Sequence, residues 1–270
     1  MDVADEAGMP ARAGAGVTPD GLRLGRVGLD RPWAWLAAGW KDFARAPGIS
    51  LAYGAALSAA GLLMAWALAV AGMFYLILPL ACGFMLVGPL VAVGLYEVSR
   101  RLENGYPVSL GAALGAYGRN ATQIAAIGLV LMLFLMFWVR VALLLFALFF
   151  SQQPPADLHM FVEMVFFSAS GLPFLVTGTL VGAGFAAVAF AIGAVSLPML
   201  LDRDTNVVEA VAVSVAAVLR NWQAMAGWTG LIVLFTAAGL ATGFLGLAVA
   251  LPLVAHASWH AYRDLVPRGS

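Results

Sequence analysis

Residues 122–150 read TQIAAIGLVLMLFLMFWVRVALLLFALFF. The run holds one charge, Arg140, and no proline. A helix that crosses a bilayer needs about 20 predominantly apolar residues. A helix on the surface of a soluble core keeps a polar stripe, and this stretch has none. It reads as a membrane-crossing helix, so lipid is the solvent in which the rest of the chain is read.

The composition agrees. Of 270 residues, 63% are hydrophobic and 10% are charged, where a soluble domain carries about 25% charged residues. A mean hydropathy of +0.94 leaves too little polar surface to clothe a soluble globule. The formal net charge is zero, and no segment is basic enough to point to nucleic acid. The one cysteine, Cys82, excludes an intramolecular disulfide and a multi-cysteine metal site. It reads as a small buried residue.

Further apolar runs lie on either side of 122–150. Upstream are 49–71, and 74–97 with Pro79 and Pro89 inside it. Downstream is 172–197, entered through Gly171-Leu172-Pro173. The last apolar stretch, 223–262, would make a helix of roughly 60 Å, twice the ~30 Å hydrocarbon core. It divides into 223–240 and 243–262, with the reversal at the glycines between Gly239 and Gly246. The expected architecture is an all-α integral membrane protein of six spans in one domain, 30–264. Five spans with the last segment lying in the interface is the alternative.

Arginine and lysine set the orientation. Arg23, Arg26, Arg31, Lys41 and Arg45 precede the first span, and Arg100, Arg101 and Arg119 lie between the second and third. Arg203 and Arg220 lie between the fourth and fifth, and Arg263 closes the sixth. The loops near 72, 151–158 and 240 hold neither residue type. Positive residues stay inside, so both termini are expected in the cytoplasm of a cell whose inner membrane the protein crosses.

Three segments read as amphipathic helices at the cytoplasmic interface. In 31–46, Trp33, Leu36, Trp40 and Phe43 share one face, with Trp33 and Trp40 suited to the headgroup boundary. Segment 107–120 starts at Pro107 and Ser109. Segment 204–221 starts with an Asp204-Thr205-Asn206 cap signal and ends before Trp222, a further interfacial anchor. Each precedes a pair of spans, which makes a threefold repeat of interfacial helix plus transmembrane hairpin. Pro89, Pro198 and Pro252 stand before the three polar exits, and Arg-Asn recurs at 119–120 and 220–221. Residues 1–29 read as a disordered cytoplasmic tail. Residues 265–270, LVPRGS, read as a protease-site scar of expression.

The opening Leu29-Asp30-Arg31-Pro32-Trp33-Ala34-Trp35-Leu36-Ala37-Ala38-Gly39-Trp40-Lys41-Asp42-Phe43, with Ala46-Pro47-Gly48-Ile49-Ser50-Leu51-Ala52-Tyr53-Gly54 after it, resembles that of an uncharacterised family of bacterial integral membrane proteins of unknown function. Some of its members are described as cytochrome c oxidase subunits. The resemblance covers about 29–264 and implies a bacterial inner membrane. It brings no catalytic residues. Oxidase haem and copper sites need several histidines on facing helices, and this chain has three histidines in all.

Polar groups within or beside the apolar runs are the candidate sites. Arg140 costs at least ~2.5–3.5 kcal/mol inside a span unless it is paired or reaches water. It reads either as a contact for an anionic solute or as half of a clasp with Glu163 or Asp157. His159 and Glu163 lie four apart on an expected outer-surface helix at 158–170, with Met160 and Met164 on the neighbouring face, a cluster that could bind copper or zinc. His256 and His260 are also four apart, a spacing that can chelate one metal or take part in a haem site, or can belong to an interfacial belt with Trp259. Glu97 reads as a salt-bridge residue for Arg100 and Arg101, or as a partner of His256. Gly178, Gly182, Gly184 and Gly193, with Gly54, Ser58 and Gly61, suit close helix approach.

No nucleophile elbow, phosphate loop or zinc-protease motif stands in a usable context, so no enzyme activity and no cofactor are expected. The leading expectation is transport or channel activity for a small anionic or lipid-like solute. The alternatives are a non-catalytic assembly factor of a respiratory or envelope complex, and a metal- or haem-handling protein. Membrane lipids are the expected partners, with a homo-oligomer or a larger membrane complex open.

Overall fold

A computed structural model describes residues 16–17, 23–150, 155 and 158–268. Its α-helices are Arg31–Arg45 (α1), Pro47–Val70 (α2), Ile77–Val91 (α3), Val93–Glu103 (α4), Leu110–Gly115 (α5), Ala121–Phe150 (α6), Leu158–Phe167 (α7), Gly171–Asp202 (α8), Val207–Arg220 (α9), Trp222–Ala241 (α10) and Leu247–Leu265 (α11). A two-residue antiparallel pairing, Gly16–Val17 with Arg23–Leu24, precedes them.

Among the described residues, five stretches are long and apolar enough to cross a membrane: Pro47–Val70, Phe74–Glu103, Ala121–Phe150, Gly171–Asp202 and Trp222–Ala241. They correspond to the first five expected spans. The sixth expected span becomes α11. It does not reach the same hydropathy, because its C-terminal half carries His256, His260, Arg263 and Asp264.

The chain reverses between α10 and α11 where the glycines suggested. Gly243 has φ +65° and Phe244 has φ 71°, a region open to glycine and strained for Phe244. A Cβ on Gly239 would strike Leu247, so the two helices meet directly at the turn.

The helices that return to the polar end, α3–α4, α8 and α11, pack against one another and form the centre. α1 lies on α11, α5 on α4 and α9 on α8. The outgoing helix α2 packs on α11, and α6 packs on both α3 and α8. Three helix ends begin with sequence-encoded caps or breaks. Asn206 accepts from Glu209 N at 2.9 Å and Ser109 from Ala112 N at 3.1 Å, satisfying donors that a helix start leaves open. Pro47 starts α2 directly after α1.

Several expectations change. Segment 107–120 is no long amphipathic helix: α5 is followed by a 3-10 turn, Ala116–Gly118. Gly111, Gly115 and Gly118 each disfavour helix there. The inner face of α1 is Pro32, Trp35, Gly39, Asp42 and Phe43. Trp33 and Trp40 are exposed, and Trp40 stacks on Phe43 at 5.5 Å. Cys82 is exposed rather than buried.

Glycine seams carry the closest approaches. A side chain at Gly39 would meet the Ala257 backbone, and one at Gly54 would meet the Ala248 carbonyl and Pro252. Pro252 offers no N–H to that carbonyl, so the α2 backbone fits where the α11 helix bond is missing. Gly61 sits at the Phe244 ring, Gly182 at Trp138 and Gly193 at Pro89. Gly178 and Gly184 meet nothing within 4 Å, so only part of the α8 glycine series serves close packing.

The segment before α1 is tied in. Gly25 N donates to Leu265 O at 2.9 Å. Asn221 donates to Gly25 O at 3.0 Å and accepts from Val27 N at 3.0 Å. Leu24, Leu265 and Val266 are buried together. Residues 1–15 and 18–22 of the expected tail lie outside the described residues.

Candidate functional site

One end of the molecule gathers nearly all the paired charges around the C-terminal half of α11. Positions 256, 260 and 264 lie one turn apart on the side that faces α1 and α2. His256 is fully buried, with Ser50 Oγ 3.0 Å from Nε2 and Ser99 Oγ 2.8 Å from Nδ1. His260 Nε2 stands 2.8 Å from Asp42 Oδ2. Asp264 accepts from Trp35 Nε1 at 2.6 Å and from the Arg31 guanidinium.

The other side of α11 faces α4 and α8. Trp259 Nε1 donates to Glu103 at 3.0 Å. Arg263 bridges Glu103 and Asp202, each at 3.2 Å. Tyr262 donates to Asp202 at 2.9 Å. Trp259 is therefore no interfacial anchor but a fully buried core residue. Trp222 is exposed.

The two histidines share a helix but not a ligand position. Each ring is engaged by its own partners, which is the arrangement of structural hydrogen bonding rather than of chelation. Among the described residues no group of three or more His, Cys, Asp or Glu is placed to hold a metal ion. Glu97 is almost fully buried and bonds Arg100 at 2.7 and 2.9 Å and Arg101 at 2.8 Å. It meets both arginines of its own helix and not His256.

At the opposite end, Arg140 is exposed on α6, with no ion pair or hydrogen bond among the described residues. Glu163 is brought to His159, at 4.0 Å on the exposed side of α7, and not to Arg140. Asp157 lies outside the described residues.

A hitch at Ala92 separates α3 from α4, one turn after Pro89. Leu95 N bonds Ala92 O, which leaves the Val91 carbonyl without its helical donor. Tyr53 supplies one from α2 at 2.7 Å, and Tyr117 lies 3.0 Å from the Tyr53 hydroxyl and 3.3 Å from Val91 O. Burial raises the Tyr117 ionisation, which keeps the phenol in its donating form.

Beside that hitch, a cavity of about 120 Å³ opens among α2, α3, α4, α8, α10 and α11. Phe84, Leu95, Phe190, Trp228, Ile232 and Val254 form much of its wall. Among the described residues, no charged one borders it.

Residues 76–202 match the family model DUF2189, described as a predicted integral membrane protein. That stretch is similar to the DUF2189 family. It spans just under half of the chain. No curated protein and no solved structure matches the chain. The matched stretch runs from the 3-10 turn before α3 to the end of α8, so it holds one wall of the cavity, Glu97 and its arginines, and Arg140. The opposite wall, on α2, α10 and α11, lies outside it.

Sequence reasoning named Arg100 and Arg101 beside Glu97 but missed the partners of both histidines. Asp42, Ser50, Ser99, Glu103, Asp202 and Asp264 each sit near a helix end, where polar residues are ordinary. The spacing of 256, 260 and 264 is the signal that joins three of these contacts on one face. The cavity left no signal, since its wall is as apolar as the lipid-facing surface.

Proposed function

We propose that this is a multi-pass inner-membrane protein with both termini cytoplasmic that admits a lipid-like solute from the bilayer into the cavity between α8 and α10. The observation that carries the reading is the charge-free cavity within the hydrocarbon-spanning part of the bundle. Such a wall favours an apolar guest, because an ion there would lose its hydration without a partner. Arg140 points away from this reading for a small anion, since it lies exposed on α6 and not on the cavity wall.

The same proposal takes α11 as a sixth span. Its 19 residues make a helix of about 28 Å, close to the hydrocarbon thickness, and its polar groups are satisfied by protein. It also takes the chain as three units of interfacial helix plus hairpin. The cyclic packing supports this: α5 lies on the returning helix of the first unit, α9 on that of the second, and α1 on that of the third.

Native mass spectrometry of the protein extracted in mild detergent tests the function. The wild-type chain is expected to retain a stoichiometric lipid-like adduct. Ala186→Leu adds bulk at the cavity wall, where Ala186 is only half-buried, and is expected to lose the adduct with an unchanged melting temperature. A wild-type chain that is bare in every mild detergent overturns the reading.

A further inference from the structure

The cavity is long for its volume. Its wall on α10 runs from Met225 to Thr236, eleven steps of helix or about 16 Å. About 120 Å³ drawn out along such a length is a narrow space, a shape that suits an extended chain better than a compact ring.

The wall is apolar but not featureless. Tyr96, Thr236 and Ser258 border the cavity. Tyr96 is 3% exposed and Thr236 5%. Among the described residues none of the three hydroxyls has a hydrogen-bond partner, and none is wholly enclosed. Buried hydroxyls normally find partners, and Tyr53 and Tyr117 a short distance away do so. Three hydroxyls left open on one cavity mark where a guest's polar atoms sit.

Resting on the lipid-like reading above, we infer that the cavity binds a single-chain amphiphile with an uncharged head, a hydroxyl or a carbonyl, which bonds to the Tyr96 hydroxyl while the chain lies along α10. A carboxylate or phosphate head is disfavoured, because no cation borders the site to compensate its desolvation. A phenol serves both candidate heads: it donates to a carbonyl and either donates to or accepts from a hydroxyl.

Trp228 is 1% exposed and lies on the cavity wall, so it reports occupancy directly. The test titrates the full chain, held in amphipol without added lipid, with undecanol, undecanoate and undecane, each brominated at the chain end to quench indole fluorescence. Trp228→Phe identifies that residue's share of the signal. Bromo-undecanol is expected to quench Trp228 saturably and more tightly than the other two. Tyr96→Phe, which removes a hydroxyl with no protein partner, is expected to weaken the alcohol roughly three- to tenfold, the value of one neutral hydrogen bond. It should leave the bromoalkane unchanged.

Equal binding of alcohol and alkane, unaffected by Tyr96→Phe, overturns the head assignment and leaves the lipid-like reading standing. Tightest binding by the carboxylate overturns the uncharged head. No saturable quenching of Trp228 by any of the three removes the lipid-like reading itself.

Discussion

α6 and α11 are both helices of a membrane bundle, yet they are built on opposite rules. In α6 only six of 30 residues are buried, and its large side chains, Leu129, Leu133, Phe137 and Leu144 among them, face outward. In α11, eleven of 19 residues are buried. Those eleven include His256, Trp259 and Tyr262, all within reach of hydrogen-bonding partners. A helix solvated by lipid must be apolar on its outside, because hydrocarbon satisfies no polar group. A helix solvated by other helices is free to be polar wherever a partner waits. Hydropathy therefore measures contact with lipid rather than membership of the bundle, and among the helices of span length α11 is the least apolar.

Substitutions on the two helices can break or sharpen this contrast. The largest effect is expected for Trp259→Ala, which empties a fully enclosed site and orphans the Glu103 contact. It should cost about 3–5 kcal/mol, read as a large fall in melting temperature in mild detergent. Phe137→Ala, a comparable truncation on the exposed side of α6, should change the melt little. Equal losses would erase the distinction between the helices.

Next comes the seam that holds α11 to α2. Gly54→Leu forces a side chain into the Ala248 carbonyl and Pro252 and should cost about 1–3 kcal/mol by overpacking. Gly178→Leu, where nothing lies within 4 Å, is its control and should be tolerated.

His256→Ala removes the partner of two buried serines and should cost about 1–3 kcal/mol. Ser50 keeps its bond to Ala46 O at 2.9 Å, so most of the loss should fall on Ser99. A double-mutant cycle pairing His256→Ala with Ser99→Ala should show stronger coupling than one with Ser50→Ala. The smallest effect belongs to Arg140→Ala. With no partner among the described residues, Arg140 should contribute within about 0.5 kcal/mol to stability. A loss above ~2 kcal/mol there would point to a contact that its exposed setting does not contain.

Much of the bundle was legible for this reason. Runs such as 122–150 announce themselves because lipid selects them, and the reversal near Gly243 followed from helix length set against bilayer thickness. The buried role of Trp259 was not legible, since a tryptophan beside charges at a helix end looks the same whether it faces headgroups or a neighbouring helix. Trp33 and Trp40 are exposed and Trp259 is enclosed, and only packing separates them. The roles of Asp42 and Asp264 depend on contacts across more than two hundred positions, which no local period encodes. The cavity escaped for a different reason: missing volume has no residue to mark it.

The clasp between α1 and α11 has a consequence for biogenesis. Trp35 and Asp264 are 229 positions apart, and Asp42 and His260 are 218 apart. Contacts so distant in sequence cannot form while the intervening chain is still being synthesised. Throughout insertion, Asp42 and Ser99 wait without their counterparts, and a slot remains open between α2 and α4 until the final hairpin arrives. The bundle is closed by its last helix as an arch is closed by its keystone. Nascent chains stalled before α11 should accordingly be the ones that membrane quality-control proteases remove.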